Sequence, residues 1–87
     1  MNDLNLNLTQ IVMPQIKEVV ELLKLEVYDS DSYSIDLYGN LSFTFYKINI
    51  ELQENGEYMV RINDRETHTD VSLEIINDLI ITDINLV

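Results

Sequence analysis

Asp64, Glu66, His68 and Asp70 alternate through one short charged segment, and all four carry side chains that can bind a metal ion. Zinc sites in proteins usually gather three or four histidine, cysteine or carboxylate ligands. His68 is the only histidine in the chain, and cysteine is absent. We therefore expect a solvated charged loop over 64–70 and no bound metal.

A second acidic pair, Asp29 and Asp31, has the spacing of the first two ligands of an EF-hand calcium loop. Such a loop would need a third ligand where Tyr33 stands, a glycine at Ser34 and a bidentate glutamate at Asn40. None of the three is present, so the sequence does not predict a calcium site.

Few residues could support catalysis. Nucleophilic mechanisms would depend on His68 as the one imidazole, and no G-x-S-x-G segment occurs. The two glycines, Gly39 and Gly56, are too few for a phosphate-binding loop. A domain of this size also offers little depth for a substrate pocket. We expect a protein without enzymatic activity and without a cofactor.

Carboxylates are abundant, and the chemistry that they can perform is surface recognition. The chain has 16 acidic and 5 basic residues among 87, which gives a formal net charge of −11. This charge repels nucleic-acid phosphates and anionic lipids and attracts basic protein surfaces. We expect a basic protein partner, with no direct binding to nucleic acid or membrane. The candidate partner-binding residues are Asp29, Asp31, Asp36, Glu51, Glu54, Glu57, Asp64 and Glu66.

Tyr28, Tyr33 and Tyr38 lie among these acids in the sequence. Tyrosine is one of the residue types that contribute most binding energy at protein interfaces. The alternative for each of them is ordinary packing within a sheet.

The acids must be positioned by one small domain, because 87 residues are too few for two. Forty apolar residues, thirty of them Leu, Ile or Val, provide its core without disulfides. No apolar run approaches the ~18 residues that a membrane span needs. The segment Met1–Asn5 lacks the basic start of a signal peptide. We expect a single domain over 1–87 in the cytoplasm of a bacterial host.

Two segments have the apolar spacing of a helix. Pro14 suits a first helical turn, and Ile16, Val19, Val20, Leu23 and Val27 follow on one face, which predicts a helix over about 13–26. A second helix is predicted over 71–82 with Asp70 as its cap. Its β-branched residues leave two short strands as the alternative. The alternation within 1–8 indicates an edge strand or an ordered arm.

Three strands are predicted between the helices, and the longest one changes phase. Leu41, Phe43 and Phe45 are odd-numbered, whereas Ile48 and the apolar residues after it are even-numbered. A strand alternates with period two, so both sets cannot point to one face. A β-bulge near Tyr46 or Lys47 would reconcile them. The alternative is a sheet that is covered partly on both faces.

The hairpin around Asn55-Gly56 has two possible registers. A two-residue turn would pair Leu52 with Met59 and mix apolar and polar side chains on each face. A three-residue loop over 54–56, with Gly56 in the left-handed region, pairs Leu52 with Tyr58 instead. The latter register places Ile48, Ile50, Leu52, Tyr58, Val60 and Ile62 on one face. Because register follows burial, we predict the three-residue loop.

Together these elements predict an α+β fold in the order α-β-β-β-α, with a three-stranded antiparallel meander packed against two helices. The open face of the sheet would be left to solvent or to a partner.

Size and charge favour an inhibitor that binds and blocks a basic, nucleic-acid-binding site on another protein. In these properties the chain is similar to small acidic phage proteins that mimic DNA, including CRISPR inhibitors, although no motif identifies such a family. The absence of Ala and the twenty Ile and Asn residues indicate an AT-rich gene from a low-GC bacterium or its mobile elements. The alternatives are an immunity protein or antitoxin against a basic nuclease, and a homo-oligomeric assembly protein.

Overall fold

A computed structural model of the chain describes residues 7–85 as a five-stranded antiparallel sheet with helices against one face. The strands are β1 (Glu26–Ser30), β2 (Ser34–Leu41), β3 (Thr44–Leu52), β4 (Tyr58–Ile62) and β5 (Arg65–Val71), and they pair in that order. The helices are α1 (Leu8–Val12), α2 (Lys17–Leu23) and α3 (Ile76–Asn85), with 3₁₀ turns over Met13–Gln15 and Leu73–Ile75. The α+β class is confirmed. No helix within 7–85 is long and apolar enough to cross a membrane.

The prediction of three strands is wrong, because β1 and β5 are further strands at the two edges of the sheet. The sequence predicts a charged loop over 64–70, where most of β5 lies, and it does not identify β1, which begins where the predicted first helix ends. Both strands are largely exposed and bury no alternating row of apolar side chains. Backbone pairing with β2 and β4 holds them in place. Hydrophobic alternation reports burial, so it cannot detect an edge strand of this kind.

The helix predicted over about 13–26 is instead a 3₁₀ turn followed by α2, and α1 precedes them as a further short helix. Asn7 caps α1, where its Oδ1 accepts a hydrogen bond from the Thr9 N–H at 3.0 Å, and Pro14 lies in the following 3₁₀ turn. Leu8 is therefore buried in α1 and belongs to no edge strand or arm, and residues 1–6 of that prediction lie outside the described residues. Helix α2 ends before Lys24, whose left-handed φ of 54° turns the chain into β1.

The second hairpin has the predicted register. Leu52 pairs with Tyr58, Ile50 with Val60 and Ile48 with Ile62. The Gln53 N–H donates to the Glu57 carbonyl oxygen at 2.8 Å, which closes a three-residue loop with Gly56 at φ +86°. The apolar face of this hairpin is buried, except that Leu52 is partly exposed.

The predicted bulge near Tyr46 or Lys47 is wrong. Strand β3 pairs with β2 and β4 without a register shift, and the irregularities lie in the pairing of the two edge strands. Tyr46 is buried on the core side, while Phe45 points to the opposite face and packs edge-on against Tyr38. The phase change therefore marks apolar side chains on both faces, although the described helices cover only one of them and Phe45 remains 55% exposed on the other.

The helical prediction for the last segment is confirmed, but its cap is wrong. Asp70 belongs to β5, and Ser72 precedes the 3₁₀ turn that leads into α3. Ile76, Ile80 and Ile84 of α3 join the core, which is one cluster of buried residues. That cluster lies between the sheet and the three helices: Leu8, Val12, Ile16, Val19, Leu23, Leu25, Ile35, Leu37, Tyr46, Ile48, Ile50, Tyr58, Val60, Ile62, Ile76, Ile80 and Ile84.

Candidate functional site

The sheet face that lies opposite the helices is the candidate binding surface, and we call it the outer face. Its side chains alternate with the buried ones along the three central strands, and they are partly or fully exposed. The residues that define it are Ser34, Asp36, Tyr38, Phe45, Lys47, Asn49, Glu51, Met59 and Arg61, with Tyr28 and Glu66 at the edges.

A hydrogen-bonded network crosses the middle of the outer face. The Arg61 Nη1 donates to Asn49 Oδ1 at 2.8 Å and to Glu51 Oε1 at 2.9 Å, and Arg61 Nη2 lies 3.7 Å from Glu66 Oε2. The Asn49 Nδ2 in turn donates to Asp36 Oδ1 at 2.6 Å. The network thus joins strands β2 to β5 through side chains, in addition to their backbone pairing.

The other cation of this face, Lys47, is also paired. Its Nζ lies 3.1 Å from a carboxylate oxygen of Asp64, in the turn between β4 and β5. The hydrogen bond to Asp64 and the negative charge of that carboxylate raise the pKa of Lys47 above its ordinary value of 10.5. Lys47 and Arg61 border a shallow hollow of about 300 Å³. Because both cations already have acidic partners, the hollow has no free positive charge to offer an anion.

Three of the predicted residues lie in turns at one end of the sheet. The β1–β2 turn and the β3–β4 loop are adjacent, because the Leu52 N–H donates to the Tyr33 carbonyl oxygen at 2.7 Å. We call this the acidic end, and its predicted residues are Asp31, Glu54 and Glu57. Asp31 accepts hydrogen bonds from two backbone N–H groups, at 2.8 and 2.9 Å, so its carboxylate holds the turn.

Glu54 and Glu57 differ from the other six candidate residues. Within residues 7–85 neither carboxylate takes part in an ion pair or a hydrogen bond, whereas the carboxylate of each of the other six does. Glu54 is exposed at the loop tip, and Glu57 is half-buried beside it. Their loop is fixed by its backbone and by Asn55, whose Oδ1 accepts from the Glu57 N–H at 2.9 Å. These two carboxylates are thus held on a defined loop with their charge available.

The last predicted residue, Asp29, lies opposite Asp36 across the β1–β2 pair. Its Oδ1 accepts a hydrogen bond from the Ser30 N–H at 2.9 Å. Like charges opposite each other in a sheet destabilise the pair, so this position adds negative charge to the face at the expense of stability. The structure therefore brings Asp29, Asp36, Glu51, Glu66 and Asp64 around one face, and separates them from the acidic end.

The sequence did not single out a row of aromatic rings on the outer face. The rings of Tyr28 and Tyr38 stack, with centroids 4.9 Å apart and planes 11° from parallel, and Phe45 meets Tyr38 edge-on at 5.4 Å. Tyr28 and Phe45 keep 71% and 55% of their surface exposed. The phase change at Phe45 is the signal that the sequence offers, but a bulge and a sheet covered partly on both faces explain it equally well, and neither predicts exposed rings.

Phe43 extends this row to the end of the sheet opposite the acidic end. It occupies a two-residue turn with Ser42, between the paired residues Leu41 and Thr44, and its side chain is fully exposed. Both turn residues have left-handed φ values, 50° for Ser42 and 70° for Phe43. Such turns favour Asn, Asp and Gly, and a left-handed residue with a Cβ costs roughly 1–2 kcal/mol.

The residues considered for a metal site do not converge. Asp64 binds Lys47, the His68 Nε2 lies 2.8 Å from Asp83 Oδ2 in α3, and Asp70 accepts from the Asn55 Nδ2 at 2.9 Å. Within residues 7–85 no three His, Cys, Asp or Glu side chains are grouped as metal ligands. The His68–Asp83 contact links β5 to α3, which is a structural use of the one imidazole.

No protein-family model matches the chain, and no curated protein or solved structure is significantly similar to it. The function must therefore be inferred from the outer face and its two ends.

Proposed function

We propose that this chain is a non-enzymatic acidic protein that binds a basic site on another protein and thereby blocks the binding of nucleic acid to that site. The observation that carries the proposal is the pair Glu54 and Glu57, held at the acidic end without an ion pair among residues 7–85. Carboxylates at fixed positions can occupy the places that phosphates take in a basic groove.

The charge balance of the outer face supports binding to a basic partner. Its two cations, Lys47 and Arg61, are both paired with acids of the same chain. A partner therefore meets a negative field, which accelerates association with a basic surface and makes it sensitive to salt.

Rigidity supports the proposal as well. The network around Arg61 and Asn49 ties the strands together through side chains, and the Gln53–Glu57 backbone pair closes the loop. Charges that are already in place lose less conformational entropy on binding than charges on a mobile tail.

The test is capture of bacterial lysate proteins on the immobilised chain, followed by elution with salt or with double-stranded DNA. Captured proteins should be basic, and both salt and DNA should release them, because each competes with the carboxylates. Binding that is indifferent to salt and to DNA would refute the proposal.

A matched pair of variants locates the contact. Glu54→Lys with Glu57→Lys should lose capture, whereas Glu21→Lys with Glu74→Lys, at exposed positions on the helical side, should retain it. Each pair of reversals adds four units to the net charge of −11, so both variants have −7. Equal losses in the two variants would mean that total charge, and no particular surface, drives binding. Glu51 is left unchanged because a lysine there would face Arg61.

A further inference from the structure

We propose that the aromatic row and Phe43 form the anchoring contact of the same surface, and that they take arginine side chains of the basic partner. The inference rests on the proposed function and adds to it the place and the chemistry of the tightest contact. That place is the end of the outer face opposite Glu54 and Glu57.

Phe43 makes no visible contribution to the fold. Its ring is fully exposed, and its backbone adopts a left-handed conformation that a bulky residue disfavours. The equivalent two-residue turn between β4 and β5 uses Asn63 and Asp64 at φ 54° and 68°, which are residue types that tolerate this conformation. The same chain thus has a suitable turn in one hairpin and an exposed aromatic ring in the other. Strain of this kind in a native protein points to function.

The neighbouring rings form a prepared platform. Tyr38 is fixed between the stacked ring of Tyr28 and the edge-on ring of Phe45. A wide shallow hollow adjoins these rings at Phe45, and its other bordering residues are Asn40, Ser42 and Phe43. Aromatic side chains lose little conformational entropy on binding, and rings already packed against each other lose less.

The neighbouring carboxylates favour a cation on these rings, and the rings themselves favour arginine among the cations. Glu26 pairs with Tyr38 across the β1–β2 ladder, and Asp36 lies two residues before Tyr38 on the same face. A guanidinium group can stack on an aromatic ring while it donates to a neighbouring carboxylate. Lys47 lies opposite Tyr38 and could repel an arginine, but its charge is paired with that of Asp64. The rings therefore still favour arginine. A second copy of the chain, at −11, and an anionic lipid surface would both be repelled.

The test compares labelled oligo-arginine and oligo-lysine peptides of equal length, titrated with the protein and followed by fluorescence anisotropy. We expect oligo-arginine to bind about two- to fivefold more tightly for each ring contact, because arginine stacks better than lysine. Phe43→Gly should remove most of this preference and leave oligo-lysine binding unchanged. Ser42→Gly, which relaxes the same turn and keeps the ring, should behave as the wild type.

The outcomes separate this inference from the proposed function. Equal affinity for the two peptides, or no effect of Phe43→Gly, overturns the aromatic anchor while salt-dependent capture at Glu54 and Glu57 can still stand. Failure to bind either peptide overturns both proposals. Sedimentation velocity tests whether a second copy of the chain occupies the rings instead. A dimer that dissociates in the Phe43→Gly variant would assign the rings to that second copy and overturn the arginine assignment. A melting temperature for Phe43→Gly no lower than that of the wild type verifies that the fold is intact.

Discussion

The side-chain oxygen of Asn77 accepts a hydrogen bond at 3.1 Å from the backbone N–H of Val19, so a residue of α3 caps the first turn of α2. Ile16 precedes α2 and has no side chain that could do so. The Nδ2 of Asn77 donates to Glu18 Oε1 at 2.9 Å. Asn77 is buried, so both halves of its amide have partners in a place that water does not reach freely.

Replacing Asn77 by alanine should lower the free energy of unfolding by about 1–3 kcal/mol, because it leaves the buried Val19 N–H without an acceptor. Urea denaturation followed by circular dichroism measures the loss. Asn40→Ala, at an exposed position, should change stability by less than about 0.5 kcal/mol. Similar losses at the two sites would contradict the capping role.

Gly39 is needed where β2 passes the end of α2. A Cβ at this position would collide with the Leu23 carbonyl oxygen and approach Leu25 Cδ2 to 2.8 Å. Because the first obstacle is backbone, Gly39→Ala should destabilise the protein by about 1–3 kcal/mol. Gly56→Asn is the comparison: nothing lies within 4 Å of its Cβ position, and Asn tolerates the left-handed φ, so thermal denaturation should show the smaller loss there.

The Lys47–Asp64 pair predicts a pH dependence of stability. The pKa of Lys47 is raised in the folded state, so the pair stabilises the fold below pH 10.5, and this contribution disappears as the pH rises through the raised pKa. The difference in unfolding free energy between wild type and Lys47→Gln should therefore be positive at neutral pH and shrink above pH 10.5. In an Asp64→Asn background the pH-dependent part should be much smaller, because Asp64 is the largest cause of the raised pKa of Lys47, and an undiminished pH dependence there would assign it to other groups.

Arg61→Met should lower stability by about 1 kcal/mol at low salt, because Glu51 and Glu66 lose their shared cation and Asn49 Oδ1 loses its donor. The loss should decrease as salt screens the repulsion between the remaining acids. Arg65→Met makes the same change in net charge at an exposed position of β5. An identical effect of both substitutions in salt-dependent urea denaturation would mean that the network has no specific role.

The register of the second hairpin could be predicted from the sequence, because its apolar side chains must be buried on one face. Only one register of the second hairpin collects Ile50 and Val60 on one face, so the sequence was sufficient to place the loop and the left-handed Gly56. The edge strands could not be found in this way, because β1 and β5 depend on backbone pairing and bury no regular row of side chains. The capping role of Asn77 could not be inferred from spacing, because its partner Val19 is 58 positions away in the sequence.

The acids of the candidate site were identifiable by type, but their pairing was not. Lys47 and Asp64 are 17 positions apart and meet only because β3, β4 and the turn after it fold back on each other. The sequence therefore could not separate Glu51, which is paired with Arg61, from Glu54, which has no ion pair among residues 7–85. The aromatic row was missed because exposure was not expected for Phe43 and Phe45.

The order of the strands has a kinetic consequence. Every strand of the sheet pairs with its neighbour in the sequence, so each hairpin can add to the previous one with a short loop to close. The contacts of Asn77 with Val19 and Glu18 join positions 58 and 59 residues apart, so their closure costs more chain entropy than the closure of a hairpin. We expect α3 to dock after the sheet has formed, so that loosening these contacts accelerates unfolding and leaves the refolding rate nearly unchanged.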